Sequence, residues 1–221
     1  MKARYKAVIF DCDGTLLDTL ADIAAAMNAA LAARGWPELP VENYRAKVGW
    51  GILRLAELAM PEDAEREAAR ELAEEAARIM AEASPAARPY PGIAELLDEL
   101  ADKKIKIAVM SNKPEAALKK TLRACFPDLS FDAIVGAREG VAVKPDPEAV
   151  WDMLAEVGAS PHETLFVGDS DVDILTARNS GCYPVGVSWG FRPRETLEKA
   201  GAARVIDRPQ EIWDAIYGGG K

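Results

Sequence analysis

The chain has 221 residues, of which 49% are hydrophobic and 29% charged, a balance typical of a globular protein rather than a disordered or fibrous one. Its net charge of −9 argues against nucleic acid or an anionic membrane surface as the main partner, but an anionic small molecule can still bind where local cations dominate. No apolar run reaches the length of a membrane span, and Cys12, Cys125 and Cys182 lack the spacing of a disulfide framework or zinc site. We therefore expect a cytoplasmic location, with the oligomeric state not readable from the sequence.

The first predicted element is a buried strand at residues 5–10, which runs into Asp11, Cys12, Asp13 and Gly14. Residues two apart in an extended chain share a face, so Asp11 and Asp13 should leave the strand on one side and Cys12 on the other. Two carboxylates about 4 Å apart repel by about 4 kcal/mol at an effective dielectric of about 20, and Mg²⁺ would remove that cost. A carboxylate beside such a cation can attack phosphorus, although an ordinary Asp- and Gly-rich surface turn is the alternative.

The next part of the chain, residues 17–84, contains helical patterns and no predicted strand. These patterns cover residues 18–34, 41–47, 52–59 and 62–83. A linker with three prolines, residues 84–92, follows them. We predict that residues 17–84 form an inserted α-helical cap domain, and that residues 1–16 and 85–221 form the core. The alternative is that these helices simply pack on the sheet.

Strand and helix patterns alternate over the remainder of the chain. Strands are predicted at residues 105–110, 131–135, 164–167, 184–187 and 204–206, and helices at residues 92–103, 115–124, 147–157, 172–179, 195–200 and 209–217. This alternation predicts an α/β fold with a Rossmann-like parallel sheet flanked by helices, whose ligands bind beyond the carboxyl ends of the strands. Residues 218–221 are predicted to be a disordered end.

Two loops after later strands carry residues suited to a phosphoryl group. Ser111 and Asn112 follow one strand, where a hydroxyl and backbone N–H groups can hold phosphoryl oxygens, although Ser111 also suits the N-cap of a helix near Pro114. Lys144 is flanked by Pro145 in a stiff backbone, which fits a cation fixed on a phosphate. A solvated loop lysine is the alternative.

A second group of acids follows the strand at residues 164–167. Asp169 and Asp173 are four residues apart, so we expect them on one helical face, and Asp171 should be an exposed acid in the first turn. If these two carboxylates converge with the two that follow the first strand, the cluster would be strongly destabilising without a cation. The sequence therefore predicts a metal site.

In their order along the chain, these motifs resemble those of the haloacid dehalogenase superfamily of phosphohydrolases, over essentially the whole sequence. The motifs are Asp11-x-Asp13-Gly14-Thr15-Leu16-x-Asp18, Ser111-Asn112-Lys113, Lys144-Pro145 and Gly168-Asp169-Ser170-x-x-Asp173. The sequence is most similar to the phosphoglycolate phosphatase-like subgroup, and the helical insert resembles its small cap. Supporting features are Val48-Gly49-Trp50-Gly51, Tyr90-Pro91-Gly92 and residues 186–190.

The resemblance implies a Mg²⁺-dependent phosphatase that hydrolyses a small phosphorylated metabolite through an aspartyl-phosphate. Asp11 would be the nucleophile and a metal ligand, and Asp169 would also bind the metal. Asp13 would protonate the leaving alcohol, then activate water, and would offer its backbone carbonyl to the metal. Thr15 would place Asp13 or the phosphoryl group. Asp173 would orient Asp169 or a metal-bound water.

The resemblance also implies a set of substrate contacts in the core. Ser111 and Lys144 would hold phosphoryl oxygens, with Lys144 compensating the charge of Asp11. Asn112 would contact the substrate beside Ser111.

In the cap, Arg45, Gly49 and Trp50 are the predicted substrate contacts. Arg45, Lys47 and Arg54 flank the glycine turn and could bind a substrate carboxylate, but surface charges are an equal alternative for each. Trp50 could pack on the substrate or anchor the cap to the core.

Three other functions remain open from the sequence. A dehalogenase would use Asp11 against carbon without a metal, and Asp13 with the pair Asp169 and Asp173 argues against it. A phosphomutase would share the same core. A non-catalytic module that only binds phosphorylated ligands is disfavoured because every expected catalytic position is filled.

Overall fold

The computed structural model describes residues 3–218 of the chain, and its centre is a six-stranded parallel sheet. The strands in chain order are β1 (Ala7–Phe10), β2 (Leu17–Asp18), β3 (Arg88–Pro89), β4 (Lys106–Pro114), β5 (Ala133–Ala137), β6 (Thr164–Gly168), β7 (Tyr183–Val187) and β8 (Arg204–Ile206). The sheet order is β5-β4-β1-β6-β7-β8. The chain therefore extends the sheet on one side of β1 and then on the other, which places a topological switch point at β1.

The α/β fold and all six predicted sheet strands are confirmed. The main difference in length is at β4, which continues to Pro114 rather than ending at residue 110. Ser111 therefore lies inside the strand and does not cap the next helix, whose N-cap is Pro114. Alternation holds along β1, where Val8 and Phe10 face one apolar cluster and Ile9 faces another.

Nine α-helices lie within the described residues. They are α1 (Leu20–Ala32), α2 (Ile52–Ala59), α3 (Ala68–Glu82), α4 (Ile93–Asp102), α5 (Glu115–Cys125), α6 (Glu148–Val157), α7 (Asp171–Ser180), α8 (Arg194–Ala200) and α9 (Ile212–Ile216). Short 3-10 helices cover Val41–Tyr44, Pro161–Glu163 and Pro209–Glu211. The helix predicted from residue 62 begins only at Ala68, because residues 62–67 contain a single apolar residue and give a helix no face to bury.

Residues 20–82 are a helical segment with an apolar cluster of its own, to which the loop after β7 adds only Phe191. Met27 of α1, Leu55 of α2 and Leu72 of α3 are buried in this cluster, together with Tyr44. The Tyr44 hydroxyl donates a hydrogen bond of 2.5 Å to Asn28 Oδ1, which satisfies a polar group within the cluster. This segment thus has the packing of a small helical bundle.

The two ends of the helical segment are joined by β2 and β3, which pair antiparallel with Leu17 opposite Pro89 and Asp18 opposite Arg88. The prediction that no strand occurs in residues 17–84 is wrong at this point, because a two-residue strand is too short to show periodicity. Asp22 strengthens the junction by accepting hydrogen bonds from the backbone N–H groups of Ala86 and Ala87. Entry and exit of the segment therefore lie side by side.

Other sequence predictions bear on the protein's setting. All three cysteines are free, as expected. No helix among the described residues is long and apolar enough to cross a membrane. Of the predicted disordered end, residues 219–221 lie outside the described residues.

Candidate active site

A cleft lies beyond the carboxyl ends of β1, β4 and β6, at the switch point of the sheet, and the helical segment covers it. The polar residues that line it on the side of the sheet include Asp11, Asp13, Ser111, Asn112, Lys113, Lys144, Asp169 and Ser170. Cys12 instead packs in the core, so the alternation predicted after β1 is confirmed. The fold therefore brings the four sequence motifs to one place.

Three buried carboxylates, those of Asp11, Asp169 and Asp173, offer oxygen atoms that all lie within 4.8 Å of one another. The Lys144 ammonium lies 2.9 Å from Asp11 Oδ1 and 2.6 Å from Asp173 Oδ1. Three carboxylates and one ammonium give a formal charge of −3 + 1 = −2. Burial and the neighbouring carboxylates together raise the pKa of the Asp11 carboxyl to about 7, against the opposing charge of Lys144, and they raise the pKa of Asp169 well above its usual range.

This cluster fits a hard divalent cation, because its charge deficit is two and all its donors are oxygens. Asp11 Oδ1 is buried without a directed hydrogen bond, since the ammonium beside it approaches outside hydrogen-bond angles. The two oxygens of Asp169 differ in their hydrogen bonds. Oδ1 accepts only a long bond of 3.4 Å from Thr15 Oγ1, whereas Oδ2 accepts a short bond of 2.6 Å from the Phe191 N–H. Asp11 and Asp169 are thus the residues with oxygens available to a metal.

Asp173 has both oxygens occupied. Its Oδ1 accepts from Lys144 Nζ, and its Oδ2 accepts from the Ser170 N–H at 3.0 Å and the Ser170 hydroxyl at 2.6 Å. Ser170 and Asp173 form a capping box at the start of α7. The helix begins at Asp171, so the prediction that Asp169 and Asp173 share a helical face is wrong. They meet because the chain turns at Ser170.

Two glycines leave the space that Asp169 occupies. A Cβ on Gly14, whose φ is +82°, would lie 2.3 Å from Asp169 Oδ2. A Cβ on Gly190, in the loop after β7, would lie 2.2 Å from Asp169 Cβ. Gly14 and Gly190 therefore both leave room for the Asp169 side chain, and this function of Gly190 was missed by the sequence analysis.

Asp13 is separate from the carboxylate cluster, because its Oδ1 accepts a 2.9 Å hydrogen bond from the buried ammonium of Lys113. Burial lowers the pKa of Lys113, but the charge and hydrogen bond of Asp13, together with Cys12 and Asp22 nearby, more than offset burial and raise the pKa above its usual value. Of the four carboxylates predicted to converge, three form the cluster, whereas Asp13 lines the same cleft outside it. Lys113 was not predicted as a site residue, yet strand alternation puts it on the face of Ser111, which was a usable signal.

The side-chain amide of Asn112 hydrogen-bonds to two loops and so connects them to the end of β4. Its Oδ1 accepts from the Lys144 N–H at 2.8 Å, and its Nδ2 donates to the Lys144 carbonyl at 3.0 Å and the Gly49 carbonyl at 3.1 Å. Asn112 therefore holds the backbone of the lysine that contacts Asp11, and it also holds the glycine turn of the helical segment. The Ser111 hydroxyl, which accepts from the Lys113 N–H at 3.3 Å, faces the cleft beside it.

Comparisons with known proteins agree with this geometry. The family model of haloacid dehalogenase-like hydrolases matches residues 5–181. The chain belongs to this family. A Caulobacter vibrioides protein named phosphoglycolate phosphatase is 36% identical over 207 residues, covering 90% of this chain and 85% of that protein. A phosphoglycolate phosphatase of Mannheimia succiniciproducens is 32% identical over 200 residues, covering 86% of this chain and 89% of that protein.

Solved structures of this family share the fold. A crystal structure from Lactobacillus delbrueckii subsp. bulgaricus superimposes with a TM-score of 0.86 at 32% identity and covers 97% of this chain and 99% of that chain. The haloacid dehalogenase-like fold therefore extends over the described residues as a whole, including the helical segment.

In this haloacid dehalogenase-like hydrolase, the predicted contacts in the helical segment are only partly brought to the cleft. Gly49 lines it. Arg45 pairs with Glu42 and lies over the Phe191 ring at 5.7 Å, outside the lining residues. Trp50 is 42% exposed and does not line the cleft either. Neither side chain lines the cleft, so a contact of Arg45 or Trp50 with the substrate stays a prediction.

The haloacid dehalogenase-like core reaches the helical segment through the loop at residues 189–192, whose contacts were not predicted from the sequence. The Arg192 guanidinium donates to three backbone carbonyls of the segment, those of Arg45, Ala46 and Val48, the last two at 3.1 and 2.6 Å. Trp189 Nε1 donates to the Thr15 carbonyl at 3.0 Å. An arginine and an aromatic residue just after the carboxyl end of a predicted strand were the available signal.

Proposed function

We propose that this chain is a Mg²⁺-dependent phosphatase that hydrolyses a small phosphate monoester through an aspartyl-phosphate on Asp11. The observation that carries the proposal is the buried cluster of three carboxylates and Lys144, with its formal charge of −2 at the switch point of the sheet. A buried cluster of net negative charge can hold a divalent cation, and this suits phosphoryl transfer, whose catalysis comes mostly from positioning and electrostatic stabilisation.

The first half-reaction transfers the phosphoryl group to Asp11. One Asp11 carboxylate oxygen forms a bond to phosphorus as the bond between phosphorus and the leaving oxygen breaks. The leaving oxygen takes a proton from Asp13. Lys144 and Ser111, which line the cleft beside Asp11, neutralise and hold the phosphoryl oxygens. A bound Mg²⁺ would be held by Asp11 and Asp169 and would supply further neutralisation of charge.

The second half-reaction releases phosphate. Asp13, now ionised, accepts a proton from a water that attacks the phosphorus of the aspartyl-phosphate, and the phosphorus–oxygen bond to Asp11 breaks. Lys113 Nζ, which lies 2.9 Å from Asp13 Oδ1, holds the Asp13 side chain in place as the acid of the first proton transfer and as the base of the second. A phosphomutase would instead return the phosphoryl group to an organic acceptor, so release of free phosphate separates the two functions.

The relatives' names make 2-phosphoglycolate the first substrate to test, since these relatives match this chain over most of its length. We also propose that residues 17–84 act as a cap domain over the cleft and that the protein works in the cytoplasm. The adjacent strands β2 and β3 support a hinge at the junction, and the hydrogen bonds from Asn112 and Arg192 to the helical segment support closure.

Removal of divalent metal tests the proposal most directly. Phosphate release from 2-phosphoglycolate is expected to fall to background after exhaustive chelation and to return with Mg²⁺, while Ca²⁺ should restore little because it prefers more ligands at longer distances. Mg²⁺ should also raise the melting temperature, since it binds the folded carboxylate cluster and not the unfolded chain. Full activity in the chelated protein would contradict the metal assignment.

Asn112→Ala is expected to lower kcat about 100-fold with a smaller change in KM, because it frees the backbone of Lys144 and so displaces the ammonium from Asp11. The matched control is Asn179→Ala, since Asn179 Nδ2 donates to the Pro145 carbonyl at 2.9 Å on the exposed side of the same loop. Steady-state kinetics of both variants should show the loss only for Asn112. Equal losses would mean that loop stability alone is responsible.

A further inference from the structure

The wall of the cleft that faces the carboxylates is apolar. Its residues come from all three helices of the segment and from the turn before α2: Ile23, Val48, Ile52, Leu55 and Met80. Phe191 and Pro114 continue this surface on the side of the sheet. A leaving group held between the carboxylates and the helical segment would therefore contact hydrocarbon over much of its surface.

Among the described residues, each cation that lines this cleft is already paired. Lys113 is bound to Asp13, and Lys144 lies against Asp11 and Asp173. The Arg192 guanidinium donates to backbone carbonyls of the segment, and its Nε lies 3.9 Å from Asp171 Oδ1.

The two arginines on either side of the glycine turn at residues 49–51 do not supply an unpaired cation to the cleft either. Arg45 pairs with Glu42 at 3.2 Å, and Arg54 pairs with Glu57 at 2.7 Å, both outside the residues that line the cleft. A second anionic group on the leaving side of the substrate would thus be desolvated against an apolar wall without a partner, which is costly.

We propose that the leaving group this enzyme prefers carries an uncharged apolar body of a few carbon atoms, which packs on Ile52, Leu55 and Met80. Short alkyl phosphates are then better substrates than 2-phosphoglycolate, whose leaving group carries a carboxylate. The proposal rests on the proposed phosphatase function and narrows its substrate class.

The first test compares wild-type kcat/KM for ethyl phosphate, n-butyl phosphate and 2-phosphoglycolate with Mg²⁺ present. Alkyl esters are used because aryl leaving groups depart more easily and would raise kcat without any contact to the wall. We expect kcat/KM to rise about tenfold from ethyl to butyl and to be higher for butyl phosphate than for 2-phosphoglycolate. A preference for 2-phosphoglycolate would overturn the inference and leave the phosphatase function intact, whereas no phosphate release from any ester would overturn the function itself.

The second test uses neighbouring residues of α2. Ile52 lines the cleft, whereas Leu53 is 44% exposed and does not line it. Ile52→Ala is expected to lower kcat/KM for butyl phosphate about tenfold more than it lowers kcat/KM for 2-phosphoglycolate, and Leu53→Ala should change neither. Equal losses on both substrates would make Ile52 merely structural and overturn the proposal. If Ile52→Ala fails to fold, Met80→Ala on α3 provides the same comparison.

A third variant reverses the chemistry of the wall. Ile52→Arg brings an unpaired cation to the face of the cleft opposite the carboxylates, so it should shift the preference toward 2-phosphoglycolate by about tenfold or more relative to butyl phosphate. Unchanged relative specificity in a folded Ile52→Arg protein would mean that the leaving group does not reach this wall.

Discussion

Asp11→Asn is expected to reduce turnover by about 10⁴-fold or more, because the amide keeps the shape of the side chain but cannot act as the nucleophile. The position is buried at the end of β1, and its neighbours Lys144 and Asp169 should keep their places. The measurement is steady-state phosphate release by purified variant protein, with a host contaminant excluded by a mock purification. Substantial turnover by Asp11→Asn would refute the assignment of the nucleophile.

The same variant has an expected signature in stability that separates lost chemistry from lost folding. Asparagine lowers the formal charge of the buried cluster from −2 to −1, so metal-free Asp11→Asn should melt at or above the temperature of the metal-free wild type. Mg²⁺ should stabilise it less than the wild type, since one ligand is weakened. Asp18→Asn, at an exposed position in the same motif, is the matched control and should alter neither melting nor turnover strongly.

Lys144→Met should have the largest effect on stability, a loss of about 3–5 kcal/mol in the metal-free protein, because it leaves buried carboxylates without their ammonium. Turnover should fall as well, since nothing then compensates the charge of Asp11 or holds a phosphoryl oxygen. Lys106→Met is the matched control, because Lys106 makes a 2.8 Å pair with Asp132 at the surface, where such pairs contribute at most about 1 kcal/mol. Denaturant unfolding of both variants measures the difference.

A second substitution tests the cause of that loss. In the double variant Lys144→Met with Asp173→Asn, one of the opposed charges is gone, so part of the lost stability should return in the absence of metal. Activity should not return, because the ammonium beside Asp11 is still missing. If the double variant is as unstable as the sum of the single variants, the loss reflects packing rather than unpaired charge.

The sheet and the main site residues were predictable from the sequence because both rest on short-range patterns. Apolar runs identified the strands of the sheet, and parallel strands bring their carboxyl ends to one edge, so Asp11, Ser111, Lys144 and Asp169 were expected to meet there. Features that depend on the backbone geometry of a few residues were harder to predict from the sequence. The extension of β4 past Met110 and the start of α7 at Asp171 changed the local setting of the motifs without moving them from the cleft.

Contacts between distant parts of the chain were not predictable in the same way. The pairing of Lys113 with Asp13 spans 100 residues, and the hydrogen bonds from Arg192 to the helical segment span more than 140. Neither leaves a periodic signal, and a lysine or arginine in a loop is more often solvated. The antiparallel pair β2 and β3 was missed for the same reason, because two residues of each strand carry no pattern.

That pair of short strands has a consequence for how such an enzyme changes its specificity. Since the chain leaves the sheet along Leu17–Asp18 and returns beside it along Arg88–Pro89, the intervening residues form a cassette whose two ends are neighbours. A cassette with its own apolar cluster can be exchanged for another of different length or lining while the strands that carry the carboxylates keep their register. Exchange of this segment, in evolution or by grafting the segment of a relative onto this sheet, therefore replaces the surface that selects the leaving group in one step. The carboxylates at the strand ends are retained.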